Sequence, residues 1–156
     1  MLGKSDLFLH RGDTAGLLGT NQPIRWAADL STQILDGIDY LKEEKTGVIN
    51  DNTHGIMLKP EGTKTNNSTK GNPCLVADIF GDFREELLLR KADNSAVRIY
   101  TNIELNKHKL FTLMHDTMYR TSIAWQNNCY NQPGYTKFYY ASDMDWEYVL
   151  PVLAKI

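Results

Sequence analysis

Between Cys74 and Ser142 the chain carries four short apolar pieces, CLVADI, ELLLRK, AVRIYT and KFYYAS, set apart by polar residues. Short strand-like runs broken by polar turns restrict a chain to sheet architectures. Arg98 and Tyr100 alternate with Val97 and Ile99, the period of a half-buried strand. The turn DNS between Lys91 and Ala96 reads as a hairpin signal. Upstream, LFLHR and PIRWAA flank the glycine-rich DTAGLLGTNQP, and VIN and GIMLK flank the turn DNTHG. The expected class is all-β with short helices in the connections. Asp29–Tyr40 is one expected helix, because Leu30, Ile34 and Ile38 recur at spacing four, Asp29 can cap and Gly37 can end it. Met118–Gln126 is the other, and the tail DMDWEYVLPVLAKI reads as an irregular or short helical end.

The chain has 156 residues, the size of one domain. A net charge of −2 provides no global field for nucleic acid or an anionic membrane, so neither is an expected partner. No apolar run approaches the roughly 18 residues of a membrane-spanning helix. The start, MLGKSDLFLHRGD, lacks the apolar core of a signal peptide. Cys74 and Cys129 are compatible with one disulfide or with two buried thiols, and their spacing does not suit zinc.

The densest chemistry lies in NNSTKGNPCLVADIFGDFREE, from Asn66 to Glu86. Asp78, Asp82 and Glu86 fall at relative positions 1, 5 and 9, with Glu85 beside them and Gly81 at the bend. Hard cations such as calcium take several oxygens from one tight turn. The spacing resembles the calcium loops of FG-GAP-type propeller blades, with Phe80 in place of the third-position carboxylate and Phe83 in place of the glycine that follows the second Asp. The plain alternative is a solvated acidic turn partly neutralised by Arg84. Lys70 can present an ammonium to an anionic ligand, with Asn67 and Thr69 bonding neighbouring hydroxyls. From the residues alone an ordinary surface lysine is the better account. His115 and Asp116 read as a hydrogen-bonded turn rather than an acid–base pair. Trp125, Tyr130 and Tyr135 sit among Gln126, Asn127, Asn128, Asn131 and Gln132, a mixture suited to stacking on sugars and pairing with hydroxyls. Core packing explains Trp125 at least as well, while Tyr130, flanked by polar residues, is the one expected to be presented.

Several of these runs, taken in order, resemble the C-terminal part of the rhamnogalacturonan lyases of polysaccharide lyase family 11. VADIFGDFREELLLR, SAVRIYT, HKLFTLMHDTMYRTSIAWQNNCYNQP and KFYY carry the likeness, together with NSTKGNP and IRWAADLSTQILDG. The resemblance spans roughly residues 20–140. Ser68 stands in place of a glycine, Phe83 of a tryptophan, Thr117 of a proline and Gly134 of a second proline.

The resemblance implies a secreted, calcium-containing enzyme built as an eight-bladed β-propeller, which cleaves rhamnogalacturonan I by β-elimination at galacturonic acid. The expectation is then a partial β-propeller, with residues 1–156 forming about its last two blades and requiring the blades upstream. By the same resemblance Lys70 neutralises the substrate carboxylate, Tyr130 stacks on a sugar ring, and Asn67 and Thr69 contact hydroxyls. Asp78, Asp82 and Glu86 become a structural calcium site, the catalytic calcium lying upstream, and no proton-abstracting base is identified. A non-catalytic carbohydrate-binding propeller fragment, or the inactive relic of a truncated gene, is the alternative.

Overall fold

The computed structural model describes residues 22–36, 48–51, 55–66, 71–128 and 133–145. Among them are eight short strands, one 3-10 turn and one α-helix. Strands β1 (Gln22–Ile24), β2 (Gln33–Asp36), β3 (Val48–Asp51) and β4 (Gly55–Leu58) form an antiparallel meander in that order. Its register runs Ile24↔Gln33, Leu35↔Ile49 and Ile49↔Leu58, with a bulge between Ile49 and Asn50. Pro23 lies on the outermost strand, where its missing N–H breaks no ladder.

The second sheet is built around β7 (Glu86–Lys91). Strands β5 (Thr63–Lys64) and β6 (Leu75–Ala77) lie end to end along one side of β7, and β8 (Val97–Tyr100) pairs with the other side. The β7–β8 turn closes with Lys91 N donating to Ala96 O at 2.8 Å. Asn94 takes φ 60 there, a conformation Asn tolerates. Residues directly opposite in an antiparallel pair share a face, and successive residues alternate between faces. Leu87, Leu89 and Val76 therefore point one way, and they join Ile24, Trp26, Leu35 and Ile49 of the first sheet in one buried cluster. Leu88, Ile99 and Val97 point the other way, where Val97 and Ile99 are 53% and 52% exposed. So the second sheet buries one face against the first and leaves an apolar strip uncovered among the described residues.

A 3-10 turn (Leu113–His115) leads into α1 (Thr117–Trp125). Thr112 caps the turn, and Asp116 caps α1 by accepting from Met118 N at 2.9 Å. The other Asp116 oxygen accepts from Lys137 N at 2.7 Å, so the HD pair is a structural junction, as the turn reading expects. Tyr119 and Ile123 turn inward to a second core with Leu30, Ala77, Phe83, Leu113 and Tyr140.

Two expected elements are corrected. Asp29–Tyr40 is not a helix over its described part. Asp29 Oδ1 accepts from Ser31 N and Oγ in a local turn, and Leu30 sits at φ 66 with its side chain buried. Beyond that turn, Gln33 and Leu35 face inward as β2, so the spacing-four pattern coincides with a turn followed by a strand. KFYYAS is not a strand either. It joins no ladder, and Tyr140 packs instead beneath the Arg25 guanidinium, 4.9 Å from its ring centre, and against Phe83. The tail after Asp145 lies outside the described residues.

Gln33 shows how the first sheet is tied to the turn before it. Fully buried, its Oε1 accepts from Trp26 N and Ala27 N at 2.9 and 2.8 Å, and its Nε2 donates to Ser31 Oγ at 2.6 Å. Gln33→Ala strands two buried N–H groups and should cost about 3 kcal/mol, since each unsatisfied donor costs about 1–3 kcal/mol. Urea denaturation of the chain checks this, and a loss near zero would contradict it.

Candidate functional site

The segment DIFGDFREE forms the loop between β6 and β7, and its carboxylates explain its shape. Glu86, at the start of β7, accepts from Ile79 N and Phe80 N through Oε2 at 2.8 and 3.1 Å, and from Thr101 Oγ1 through Oε1 at 3.1 Å. Asp78, fully buried, accepts from Leu113 N at 2.6 Å and Thr112 Oγ1 at 2.9 Å through Oδ2. Its Oδ1 has no partner of good geometry, although the Gly81 and Phe83 amides face the carboxylate. Gly81 and Phe83 both adopt left-handed conformations, φ 78 and 66, and so turn the loop around that group. Asp82 bonds the Arg84 side chain and its backbone N–H.

Glu85 makes the most connected contact. Its backbone N–H donates to Arg25 O at 2.7 Å, and its Oε2 accepts from Arg25 N at 2.8 Å. Its Oε1 accepts from the Tyr119 hydroxyl at 2.7 Å and faces Arg25 Nη1 at 3.4 Å. Tyr119 Oη in turn accepts from Asp78 N at 3.0 Å. Burial pushes the Glu85 carboxyl up, against the opposing pull of Arg25 and Tyr119. Burial and the neighbouring Glu85 charge also raise the Tyr119 hydroxyl, which therefore stays a donor.

These partners bear on calcium. A calcium cage needs roughly six to eight oxygens converging on one point. Here both Glu86 oxygens and one Asp78 oxygen accept from backbone amides or hydroxyls, and Asp82 turns to Arg84. Among the described residues no three His, Cys, Asp or Glu side chains converge as a metal site. As they stand, Asp78, Asp82 and Glu86 do not fit a calcium cage and shape the loop instead.

Lys70, Asn67, Thr69 and Tyr130 lie outside the described residues, but the chain on either side of them is described. Asn66 N donates to Asn72 O at 2.7 Å, and Asn66 Nδ2 to Pro73 O at 3.2 Å, so the ends of the 67–71 stretch are held together. Cys74 is a free, half-buried thiol that donates to Asn66 Oδ1 at 3.4 Å, which removes the disulfide reading, and Cys129 lies outside the described residues.

At the end of α1, the amides expected to bond sugars do something else. The Gln126 side chain, buried, pairs with both backbone groups of Val76, accepting from N at 2.9 Å and donating to O at 2.7 Å. Asn127, at φ 64, donates to Cys74 O at 2.7 Å and Pro73 O at 3.3 Å. Asn128 Nδ2 returns to Ala124 O at 2.9 Å. After residue 132 the chain rejoins α1, with Tyr135 N donating to Ser122 Oγ at 3.1 Å and Gly134 O accepting from Arg25 Nη1 at 3.3 Å. Trp125 is 58% exposed, so core packing does not account for it. The two stretches singled out for ligand contact, 67–70 and 129–132, are thus rooted in one place, the junction of β6 with the end of α1. Arg25, Tyr119, Gln126 and Asn127 build that junction, and the sequence suggests this role for none of them because their partners are 34 to 109 residues away.

Two open grooves flank Glu104, one of about 410 Å³ beside Trp26, Met57 and residues 101–104, the other of about 270 Å³ beside residues 27–29, Leu105, Lys107 and His108.

Burial raises the carboxyls of Asp78 and Glu86 from their ordinary values of 3.8 and 4.5. A raised value means that the folded chain holds the proton more tightly than the unfolded one. That contribution to stability is full below the unfolded value and is lost as pH rises through the folded value. In Glu86→Gln the amide oxygen still accepts from Ile79 N and Phe80 N, and the amide nitrogen can donate to Thr101 Oγ1. This variant should gain on wild type as pH rises above about 4.5, read by urea denaturation across a pH series. A variant that loses ground over that window would contradict the assignment.

Comparisons with known proteins identify the family. Residues 10–149 match the family model described as rhamnogalacturonan lyase family 11, C-terminal domain. The rhamnogalacturonan exolyase YesX of Bacillus subtilis (strain 168) is 46% identical over 129 residues, covering 80% of this chain and 21% of that protein. The rhamnogalacturonan endolyase YesW of the same organism is 44% identical over 125 residues, covering 80% of this chain and 20% of that protein. Among solved structures, a Bacillus licheniformis rhamnogalacturonan lyase superposes with a TM-score of 0.72 at 40% identity, covering 81% of this chain and 21% of that one. The exotype lyase YesX superposes at 0.69 with 44% identity, covering 80% and 21%. The chain spans about a fifth of the length of these relatives. It belongs to rhamnogalacturonan lyase family 11, in the region of the C-terminal domain.

Proposed function

We propose that this chain is the C-terminal part of a polysaccharide lyase that degrades rhamnogalacturonan I, the pectin backbone of plant cell walls, by β-elimination at galacturonic acid. The observation that carries this reading is the match over residues 10–149, which includes both stretches rooted at the β6–α1 junction. β-Elimination removes the proton at C5 of the uronate and expels the glycosidic oxygen at C4. Negative charge then accumulates on the carboxylate, and a fixed cation there stabilises the transition state more than the bound substrate. In this reading Lys70 supplies that cation, Tyr130 stacks on a sugar ring, and Asn67 and Thr69 bond hydroxyls. Hydrolysis would instead need two carboxylates flanking the bond. The described carboxylates of the β6–β7 loop are committed to backbone, hydroxyl and arginine partners.

The two sheets are read as two blades of a propeller. The uncovered strip at Val97 and Ile99, and the side of β8 turned away from β7, support further sheets of the same protein beside them. The calcium expected of such an enzyme is assigned to that upstream part, because the described acidic loop does not fit it. In this reading the complete protein, whose substrate is a wall polymer, works outside the cell.

The test joins this chain to its upstream sequence and follows the ultraviolet absorbance of the unsaturated uronate formed from rhamnogalacturonan I. Lys70→Ala should lower kcat/KM at least about 100-fold, the scale of one lost charge-stabilising group in the transition state. A folded joined protein that forms no unsaturated product would move the reading to carbohydrate binding or an inactive relic.

A further inference from the structure

A narrow cleft opens where the 3-10 turn faces Lys137 and Phe138. Its walls are mostly carbon, from Leu110, Phe111 and Phe138, and the exposed His115 and Lys137 line it as well. The room inside is about 20 Å³, the scale of one water molecule or one methyl group. Both walls are held in place. Asp116 accepts from Lys137 N at 2.7 Å and caps α1 with its other oxygen, and Asp78 accepts from Thr112 Oγ1 at 2.9 Å. Arg120 Nη1 braces the turn by donating to Met114 O and His115 O at 2.7 and 3.1 Å. Phe111 is 63% exposed and belongs to neither core, and its ring centre lies 6.1 Å from that of His115. The charge along this wall is positive. From Leu105 to His115 the chain carries Lys107, Lys109, His108 and His115 and no carboxylate. Asp116 is buried, and both of its oxygens accept hydrogen bonds. Among the described residues no carboxylate pairs with the Lys137 ammonium.

We propose that this cleft is a binding subsite for the pectin chain: its carbon walls take the methyl group of a rhamnose, Phe111 stacks on a sugar face, and Lys137 pairs with the carboxylate of the adjoining galacturonate. The identity of the ligand rests on the lyase reading above, while the cleft is built from described residues alone. Rhamnose is a deoxy sugar that ends in a methyl group where other hexoses carry a hydroxyl. A carbon-walled cleft of this width favours the methyl, because a hydroxyl placed there would lose its water partners. Ligand sites are commonly apolar with a few placed polar groups that fix orientation. One face of a pyranose ring is a patch of C–H groups, which suits the open side of an aromatic ring. The carboxylate of the neighbouring sugar is drawn to an ammonium that has no carboxylate of its own. Rhamnose and galacturonate alternate along rhamnogalacturonan I, so one disaccharide supplies both the methyl and the charge. Walls fixed before the ligand arrives keep the ordering cost of binding low.

Galacturonosyl-rhamnose tests this. It carries one methyl and one carboxylate, and the C4 oxygen of its uronate bears no sugar, so elimination cannot consume it. The protein joined to its upstream sequence is treated with an amine-acetylating reagent while the disaccharide is titrated, and acetylation of each lysine is read by mass spectrometry. Acetylation of Lys137 should be lost along a single-site curve, while that of Lys64, exposed on β5, stays unchanged. Digalacturonate, with two carboxylates and no methyl, should need about fourfold more to protect Lys137, the worth of one buried methyl. Phe111→Ala should raise the half-protecting concentration about threefold or more, and Phe111→Tyr should restore it. Phe111 lies outside both cores, so the melting temperature of each variant should stay near that of wild type. Lys137 acetylated at the same rate at every disaccharide concentration would overturn the subsite. Equal protection by digalacturonate would overturn recognition of the methyl, and protection of Phe111→Ala at the wild-type concentration would overturn stacking on that ring. Elimination is scored separately: a joined protein that forms no unsaturated product refutes the lyase reading, whereas unprotected Lys137 refutes only the subsite.

Discussion

A buried carboxylate, Glu85, holds the molecule together. It sits where the end of β1, the β6–β7 loop and α1 meet: its carboxylate takes the Arg25 amide and guanidinium and the Tyr119 hydroxyl, while its own amide donates to Arg25 O. A charge in such a place is tolerated only when it is paired and fully hydrogen-bonded, because desolvation otherwise outweighs the attraction. The geometry meets that condition. The consequence is directional: sheet packing sets how close the two sheets come, and Glu85 sets their orientation, since its bonds to Arg25 and Tyr119 form in one arrangement. Tyr119 extends the constraint to Asp78 N, and Asp78 extends it to Thr112 and Leu113, so a chain of bonds runs from the first sheet to the start of α1.

The junction of β6 with the end of α1 is tied into this chain of contacts. The stretches 67–70 and 129–132 leave the described fold at places fixed by Asn66, Pro73, Gln126 and Asn127, and the second returns at Ser122 and Arg25. Sites carried on loops work when the scaffold beneath them is stiff. The scaffold here is the β6–α1 junction, made almost wholly of side-chain amides bonded to backbone.

Much of this was legible from local pattern. ELLLRK forms β7 from its first residue to its last, VIN and GIMLK form β3 and β4, the turn after Lys91 closes a hairpin, and the helix near Met118 runs from Thr117 to Trp125. The failures have one physical source. In the segment after Asp29, the left-handed turn at Leu30 and the inward Gln33 depend on Trp26 and Ala27 amides. A periodicity count sees neither. The extended run KFYY alternates as a strand should, yet Tyr140 finds Arg25 and Phe83 rather than a neighbouring strand. Carboxylates grouped in DIFGDFREE suggested a cation, because a sequence lists acceptors without the amide donors that the fold brings to them. The amides around Trp125 suggested sugar contacts for the same reason, while the resemblance to a lyase family came from residue identity over a long stretch and survived every local misreading.

The contact between Arg25 and Glu85 also has a bearing on the order in which the chain organises itself. The β1–β4 meander and the β7–β8 hairpin join sequence neighbours, whereas Arg25 meets Glu85 across 60 residues and Gly134 across 109. Loop closure over such distances is entropically slow and comes after local pairing. Until it is complete, Glu85 remains hydrated and has no reason to enter the interior. The junction of β6 with the end of α1 is therefore a late-forming part of the molecule, and a nascent chain displays finished hairpins before the contacts that join its two sheets and its helix exist.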